Sequence, residues 1–232
     1  GVELGAAIRL VKRIPAAAGL GGASGDAAAG LLVANRAWGL NWPREKLIAV
    51  AAEIGSDIPF FLNCEPAVFC GRGDQLQRVV EFCRLAVVVV RPPTGLRTAD
   101  VYGKCRPAKT AVPLLPLLSA GQNGNLPLVA KCMTNRLQPA AAGLSPWIQK
   151  MQQVFEKSDC LGHQMTGSGS SYFGVCRNTC HARRIASRIR SMGVGQVFNA
   201  TTFPTSPLGT NDPNRRIRHG HYRGSHQAGG GF

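Results

Sequence analysis

Acidic residues are scarce in this sequence, most of all towards its C-terminal end. Lysine and arginine number 27 against 12 aspartate and glutamate residues, which gives a formal charge of +15 over 232 residues. After Asp159 the one acidic residue is Asp212. Such a basic surface favours anionic partners, either nucleotides or nucleic acid. We do not expect nucleic acid, because no basic stretch interleaved with aromatic residues occurs.

Long hydrophobic runs are also missing. The longest strongly apolar segment, residues 85–90, is far too short to cross a bilayer and predicts a buried strand instead. The N-terminal residues do not combine a charged start with an apolar stretch and a cleavage site. We therefore expect no membrane partner, and a cytoplasmic location is the default expectation.

Metal-binding and disulfide patterns are absent as well, although the chain has eight cysteines. No Cys-x-x-Cys pair occurs, and Cys176 and Cys180 lie beside His181 without a second pair of ligands at zinc-finger spacing. We expect free thiols in a reducing compartment. The hydrophobic content of 44% supports one large or two modest folded domains. Residues 204–232 are basic and poor in large apolar side chains, which predicts a disordered tail.

What the sequence does contain is a glycine-rich loop. It joins a strand-like run at residues 7–11 to an alanine-rich run that predicts a helix over residues 26–40. Small residues leave backbone N–H groups accessible, and a helix that starts after such a loop directs its positive end towards a bound anion. We expect this loop to bind phosphate. The candidate contacts are Pro15, Ala16, Ala17, Ala18, Gly19, Leu20, Gly21, Gly22, Ala23, Ser24 and Gly25.

Single positions exclude three other glycine loops. The Walker loop needs a lysine at the start of the helix, and none follows Gly21 or Gly22. The dinucleotide and protein-kinase loops need glycine where Ser24 stands, and the nucleophile elbow needs glycine where Asp26 stands. A plain turn that packs a helix closely against a strand remains the alternative.

Two further segments carry residues that could take part in chemistry. Gly-Ser-Asp-Ile-Pro-Phe-Phe at residues 55–61 follows an amphipathic helix predicted over 43–54. Its Asp57 could be either a turn or N-cap residue or a proton acceptor. Residues 165–175 indicate a strand, a glycine-serine turn and a second strand. Each segment by itself is typical of an ordinary turn.

Taken together and in this order, the three segments resemble the motifs of the GHMP small-molecule kinases. Lys-Arg-Ile-Pro at 12–15, Gly-Leu-Gly-Gly at 19–22 and Ser24 correspond to the second motif of that superfamily. Within it the resemblance is to the branch that phosphorylates 4-diphosphocytidyl-2-C-methyl-D-erythritol in the non-mevalonate isoprenoid pathway. Ala23 and Gly25 depart from the branch pattern, which has glycine and a second serine there.

The resemblance implies an α+β protein with the GHMP kinase fold. A partial ribosomal-S5-like domain would occupy residues 1–91 and a ferredoxin-like domain residues 92–203, with the active site between them. The resemblance further implies ATP and Mg²⁺ as cofactors and a diphosphocytidyl polyol as substrate. Asp57 would be the catalytic base and Ser24 a candidate magnesium ligand. The third motif would add four nucleotide contacts, namely Gly167, Ser168, Gly169 and Ser170.

One motif of the family is missing. The family begins with Pro-Ala-Lys-Ile-Asn-Leu, whose lysine pairs with the catalytic aspartate, whereas this sequence opens with Gly-Val-Glu-Leu-Gly. We therefore expect a truncated chain with poor activity and unpaired strand edges. Two alternatives stay open: a GHMP kinase for homoserine or mevalonate, and a non-catalytic, basic RNA-binding protein on an S5-like fold. Residues 98–102 and 135–138 resemble the family only weakly, and we expect them to be structural.

Overall fold

The computed structural model describes residues 5–71, 73–106 and 110–202, so the predicted tail at 204–232 lies outside the described residues. Three helices and a hairpin come first. They are α1 (Gly22–Ala37), α2 (Arg44–Ile54), α3 (Ile58–Asn63), β1 (Ala67–Cys70) and β2 (Gln75–Val79). Strands β1 and β2 pair antiparallel, with an irregularity between Val68 and Phe69.

Helix α1 begins four residues before the predicted start at Asp26. Gly21 adopts a left-handed conformation, with φ +66°, and the Gly25 N–H donates to the Gly21 carbonyl at 2.9 Å. Residues 22–25 are therefore the first turn of the helix rather than the end of the loop. Helices α1, α2 and α3 share a small core of Ala28, Leu47, Ala51, Ile58 and Leu62.

The strand predicted at residues 7–11 is wrong. These residues are exposed, with Ile8 81% and Leu10 58% accessible to solvent. No strand of the described residues lies beside them, and a lone extended segment has no partner for its backbone hydrogen bonds.

The rest of the chain builds a four-stranded sheet with helices. Its elements are β3 (Ala86–Arg91), α4 (Thr98–Lys104), α5 (Leu115–Gln122), α6 (Leu126–Cys132), α7 (Gln138–Ala142), α8 (Pro146–Glu156), β4 (Gly162–Met165), β5 (Tyr172–Cys176), α9 (Thr179–Arg190) and β6 (Gln196–Thr201). The strand order is β4-β5-β3-β6, and every neighbouring pair is antiparallel. This is the β-α-β-β-α-β arrangement of ferredoxin-like domains, which confirms the predicted fold class.

Apolar side chains from one face of this sheet and from α8 and α9 form the larger core. Val88 and Tyr172 are fully buried, as are Phe155 of α8 and, to 1% exposure, Ile189 of α9. The arginine-rich helix thus turns its isoleucines inward as predicted. The spacing of the apolar residues predicts that Met192 points inward with Ile185 and Ile189, but Met192 is 45% exposed because α9 ends at Arg190.

Strand β3 pairs with strands of the second predicted domain. It lies between β5 and β6, with Val88 opposite Gly174 on one side and Asn199 on the other. The division into 1–91 and 92–203 stays a prediction, and this pairing favours a division before Ala86.

Several kinds of feature do not occur in the part of the chain that the structure describes. No helix there is long and apolar enough to cross a membrane. No group of three His, Cys, Asp or Glu side chains there could hold a metal ion. The eight cysteines are free thiols.

Candidate active site

A cavity of about 370 Å³ lies between the glycine-rich phosphate loop with its helix and the segment at residues 55–61. It lies between the start of α1 and the segment that joins α2 to α3. Its walls are Ala23, Ser24, Ala27, Ile54, Gly55, Ser56, Asp57 and Ile58. The residue expected to be the base and the residue expected to bind magnesium therefore line the same space.

The start of α1 is open to an anion. Its first N–H groups have no acceptor within the helix, and no side chain of the described residues caps them. The first turn also has no acidic residue. Lys12 pairs with Asp26 in the following turn. A 16-residue helix with such an end presents free donors and a partial positive charge, the arrangement that binds phosphate.

The aromatic end of the segment at residues 55–61 supports the phosphate loop directly. A Cβ atom at Gly21 would lie 2.2 Å from Cζ of Phe61, far inside van der Waals contact. The ring of Phe61 also comes within contact distance of Gly25, at 3.5 Å from a Cβ built there. Glycine is favoured at position 21, because the backbone is left-handed and any side chain there would have to displace the Phe61 ring.

Asp57 immediately precedes α3 but does not cap it. Among the described residues the helix start has no side-chain hydrogen bond, and Asp57 has helical angles, φ −86° and ψ −14°. The side chain is exposed and faces the cavity. The N-cap role considered for this aspartate is therefore not the one that the structure shows.

The third motif contacts the other end of the phosphate loop. The Thr166 hydroxyl donates to the Gly19 carbonyl at 2.8 Å, and the Ser171 N–H donates to the Ala18 carbonyl at 3.0 Å. A Cβ at Gly19 would lie 2.4 Å from the Thr166 carbonyl oxygen. The two glycine loops therefore pack backbone against backbone at Ala18 and Gly19.

Three of the four predicted contacts in the third motif point inward. Ser168, Gly169 and Ser170 are buried, whereas Gly167 is exposed. The Ser168 hydroxyl is 2.9 Å from that of Thr98, and the Ser170 hydroxyl donates to the Thr94 carbonyl. A nucleotide contact from these residues stays a prediction.

The structure adds residues that the sequence did not place at the site. Gly95 packs on the loop, since a Cβ there would lie 2.9 Å from Cβ of Ala17. Thr98 holds Ser168, as described above. Asn135 donates to the carbonyls of Met165 and Gly167, both at 2.8 Å. The weak family resemblance at 98–102 and 135–138 was the signal that could have found Thr98 and Asn135.

A larger cavity, about 420 Å³, lies at the start of α9, and none of its lining residues belongs to the three motifs. It is lined by Arg177, Asn178, Cys180, His181 and Arg184. Arg177 binds Asp159 through two contacts of 2.8 and 3.1 Å, and Arg184 lies 3.8 Å from the same carboxylate. The hydrogen bond from Arg177 lowers the pKa of Asp159. Since Asp159 offsets part of the positive charge, we take the smaller cavity as the candidate site.

Family and sequence comparisons show which proteins this chain is similar to. The family model for the GHMP kinases N terminal domain matches residues 1–65, and that for the GHMP kinases C terminal domain matches residues 114–195. The 4-diphosphocytidyl-2-C-methyl-D-erythritol kinase of Pelotomaculum thermopropionicum is 36% identical over 82% of this chain and 67% of its own length. The enzymes of the same name from Geobacter sp. and Brevibacillus brevis are 35% and 33% identical, over 66% and 68% of their lengths. The chain thus spans about two thirds of the length of these relatives.

Solved structures show the same pattern. A crystal structure of 4-(cytidine 5'-diphospho)-2C-methyl-D-erythritol kinase matches with a TM-score of 0.70 at 32% identity, over 82% of this chain and 68% of that one. The homoserine kinase of Cytophaga hutchinsonii has a TM-score of 0.65 at 18% identity, over 83% of this chain and 68% of that one, a similarity of fold alone. The chain belongs to the GHMP kinases, and within them to the 4-diphosphocytidyl-2-C-methyl-D-erythritol kinase family.

Proposed function

We propose that this protein transfers the γ-phosphoryl group of ATP to a hydroxyl group of 4-diphosphocytidyl-2-C-methyl-D-erythritol, a step of non-mevalonate isoprenoid synthesis. The observation that carries the proposal is the cavity beside the open start of α1, which Ser24 and Asp57 both line. The substrate comes from the names of relatives that are 32–36% identical.

Phosphoryl transfer needs positioning and neutralisation of charge more than covalent chemistry. The backbone N–H groups at the start of α1 would hold the ATP phosphates. Asp57, exposed to the same cavity, would accept the proton of the attacking substrate hydroxyl. The Gly167 turn, which is bonded to the phosphate loop, would form the neighbouring wall.

The residues present fit Mg²⁺. The Ser24 hydroxyl and the Asp57 carboxylate supply hard oxygen donors to one cavity, and Mg²⁺ in such sites is held by few protein ligands together with phosphate oxygens. Ser24 would hold the ion, which would neutralise charge on the phosphates. We propose ATP and Mg²⁺ as the cofactors on this basis.

The alternatives have less support. A homoserine kinase and a mevalonate kinase of solved structure are 18% and 15% identical to this chain, against 32% for the diphosphocytidyl enzyme. RNA binding without catalysis is not favoured, because the relatives are kinases and the phosphate loop is kept. The cytoplasmic location and the poor activity expected from the sequence stay predictions.

A substrate panel tests the proposal. The purified chain is incubated with Mg·ATP and each of 4-diphosphocytidyl-2-C-methyl-D-erythritol, homoserine and mevalonate, and the products are identified by mass spectrometry. We expect a phosphorylated product from the diphosphocytidyl compound alone, and none when EDTA removes Mg²⁺. Because the comparison is between substrates, a slow rate does not obscure it. Phosphorylation of homoserine or mevalonate in its place would refute the substrate assignment.

A further inference from the structure

Two carboxamide side chains hold the glycine loop of the third motif, residues 165–175. Gln138 accepts a hydrogen bond from the Met165 N–H at 2.9 Å and donates to the Tyr172 hydroxyl at 3.1 Å. Asn135 donates to the Met165 and Gly167 carbonyls, at 2.8 Å each. Met165, the last residue of β4, is therefore bonded to Gln138 through its N–H group and to Asn135 through its C=O group.

The orientation of the Asn135 amide is determined by its own contacts. Its Oδ1 accepts the Leu137 N–H at 2.9 Å, at the start of α7, while its Nδ2 makes the two bonds to the loop. A carboxamide has two N–H donors, and here both are used. Exchanging the oxygen and the nitrogen would break all three hydrogen bonds.

The two carbonyls that Asn135 binds flank Thr166, the residue that reaches the phosphate loop. The Thr166 hydroxyl donates to the Gly19 carbonyl at 2.8 Å. Gly19 has φ +67° and Gly167 has φ +54°, so both loops have left-handed residues where they meet. Glycine populates many conformations in a free loop, and holding one of them requires contacts from elsewhere. Asn135 supplies such contacts on the side of the third loop.

We propose that Asn135 is a positioning residue for nucleotide binding, acting through Thr166 on the phosphate loop. Its hydrogen bonds go to neither Ser24 nor Asp57, and it does not line their cavity. It fixes the carbonyls around Thr166, and Thr166 then holds Gly19 in the conformation that leads into α1. The inference rests on the proposed function, because it assumes that the 15–25 loop binds ATP.

The test uses Asn135→Asp. Aspartate keeps the oxygen that accepts from Leu137, so the start of α7 is preserved, but it cannot donate to the two carbonyls and it repels them. We expect the Kd for Mg·AMP-PNP, measured by titration calorimetry, to rise about tenfold, the usual scale for leaving polar groups unpaired. Thr166→Val, which removes only the hydroxyl, should produce a similar rise. The double variant should bind about as weakly as the weaker single variant, because both changes break one link.

The matched control is Asn125→Asp, in which the aspartate keeps the oxygen that caps α6. It makes the same chemical change and should leave the Kd within about twofold. Equal affinity of wild type and Asn135→Asp, or additive effects in the double variant, would overturn the positioning role. Failure of the wild-type chain to bind Mg·AMP-PNP would instead overturn the proposed function and this inference with it. If the aspartate variant does not fold, Thr166→Val tests the same link without altering Asn135.

Discussion

Replacing Asp57 by asparagine is expected to lower kcat by about 10²- to 10⁴-fold, the usual contribution of a general base. Asparagine has nearly the same shape as aspartate but cannot accept the proton of the substrate hydroxyl. Asp57 does not cap α3, so the substitution leaves the helix start unchanged. We therefore expect the Kd for Mg·ATP and the thermal midpoint to stay close to those of the wild type. Steady-state kinetics with the diphosphocytidyl substrate measure the effect.

The control for this variant is Glu45→Gln. It also removes one negative charge, but in the exposed first turn of α2, at the end of that helix away from Asp57. The rate should then stay within about twofold of wild type, as for most surface changes. An Asp57→Asn variant that retains the wild-type kcat would show that another group accepts the proton.

Replacing Gly19 by alanine should have the second large effect, on both stability and nucleotide binding. The new Cβ would lie 2.4 Å from the Thr166 carbonyl oxygen and 2.7 Å from that of Gly169. Both are backbone atoms, so no side chain can rotate away. The left-handed angle of +67° adds strain. We expect a loss of about 2–4 kcal/mol in the free energy of unfolding, measured in urea. The Kd for Mg·ATP should rise at least tenfold, because the loops must separate to admit the methyl group.

Gly30→Ala is the matched control. Gly30 lies within α1, and a Cβ there meets no described atom within 4 Å. Alanine should stabilise the helix by about 0.5–1 kcal/mol and leave the Kd unchanged. If Gly19→Ala binds Mg·ATP and unfolds like the wild type, the two glycine loops do not meet as described.

Local sequence predicted the elements that depend on local contacts. The apolar run at residues 67–70 predicts a strand, and β1 has these bounds; Ile185 and Ile189 turn inward on α9 as their spacing predicts. The strand predicted at 7–11 failed because strands depend on a partner elsewhere. For the same reason the sequence did not show that β3 pairs with β5 and β6.

The same distinction holds at the site. Three motifs in family order predicted that Ser24 and Asp57 would act together, and the cavity brings them together. The residues next to Asn135 do not show its role, because its partner Gly167 lies 32 residues away; the weak family resemblance at 135–138 was the one indication that it belongs near the site. An asparagine before a short helix is typical of a helix cap, and only the fold shows that its amide reaches a second loop.

The central claim is that the ATP phosphates bind at the start of α1. Amide ¹H–¹⁵N spectra of the labelled chain, recorded with increasing Mg·AMP-PNP, test it most directly. The account predicts saturable shifts at Gly19, Gly21, Gly22 and Ser24. The basic cavity at α9 is the main competing anion site in the described structure. Shifts confined to Asn178, Cys180 and Arg184, with none at the glycine loop, would contradict the account.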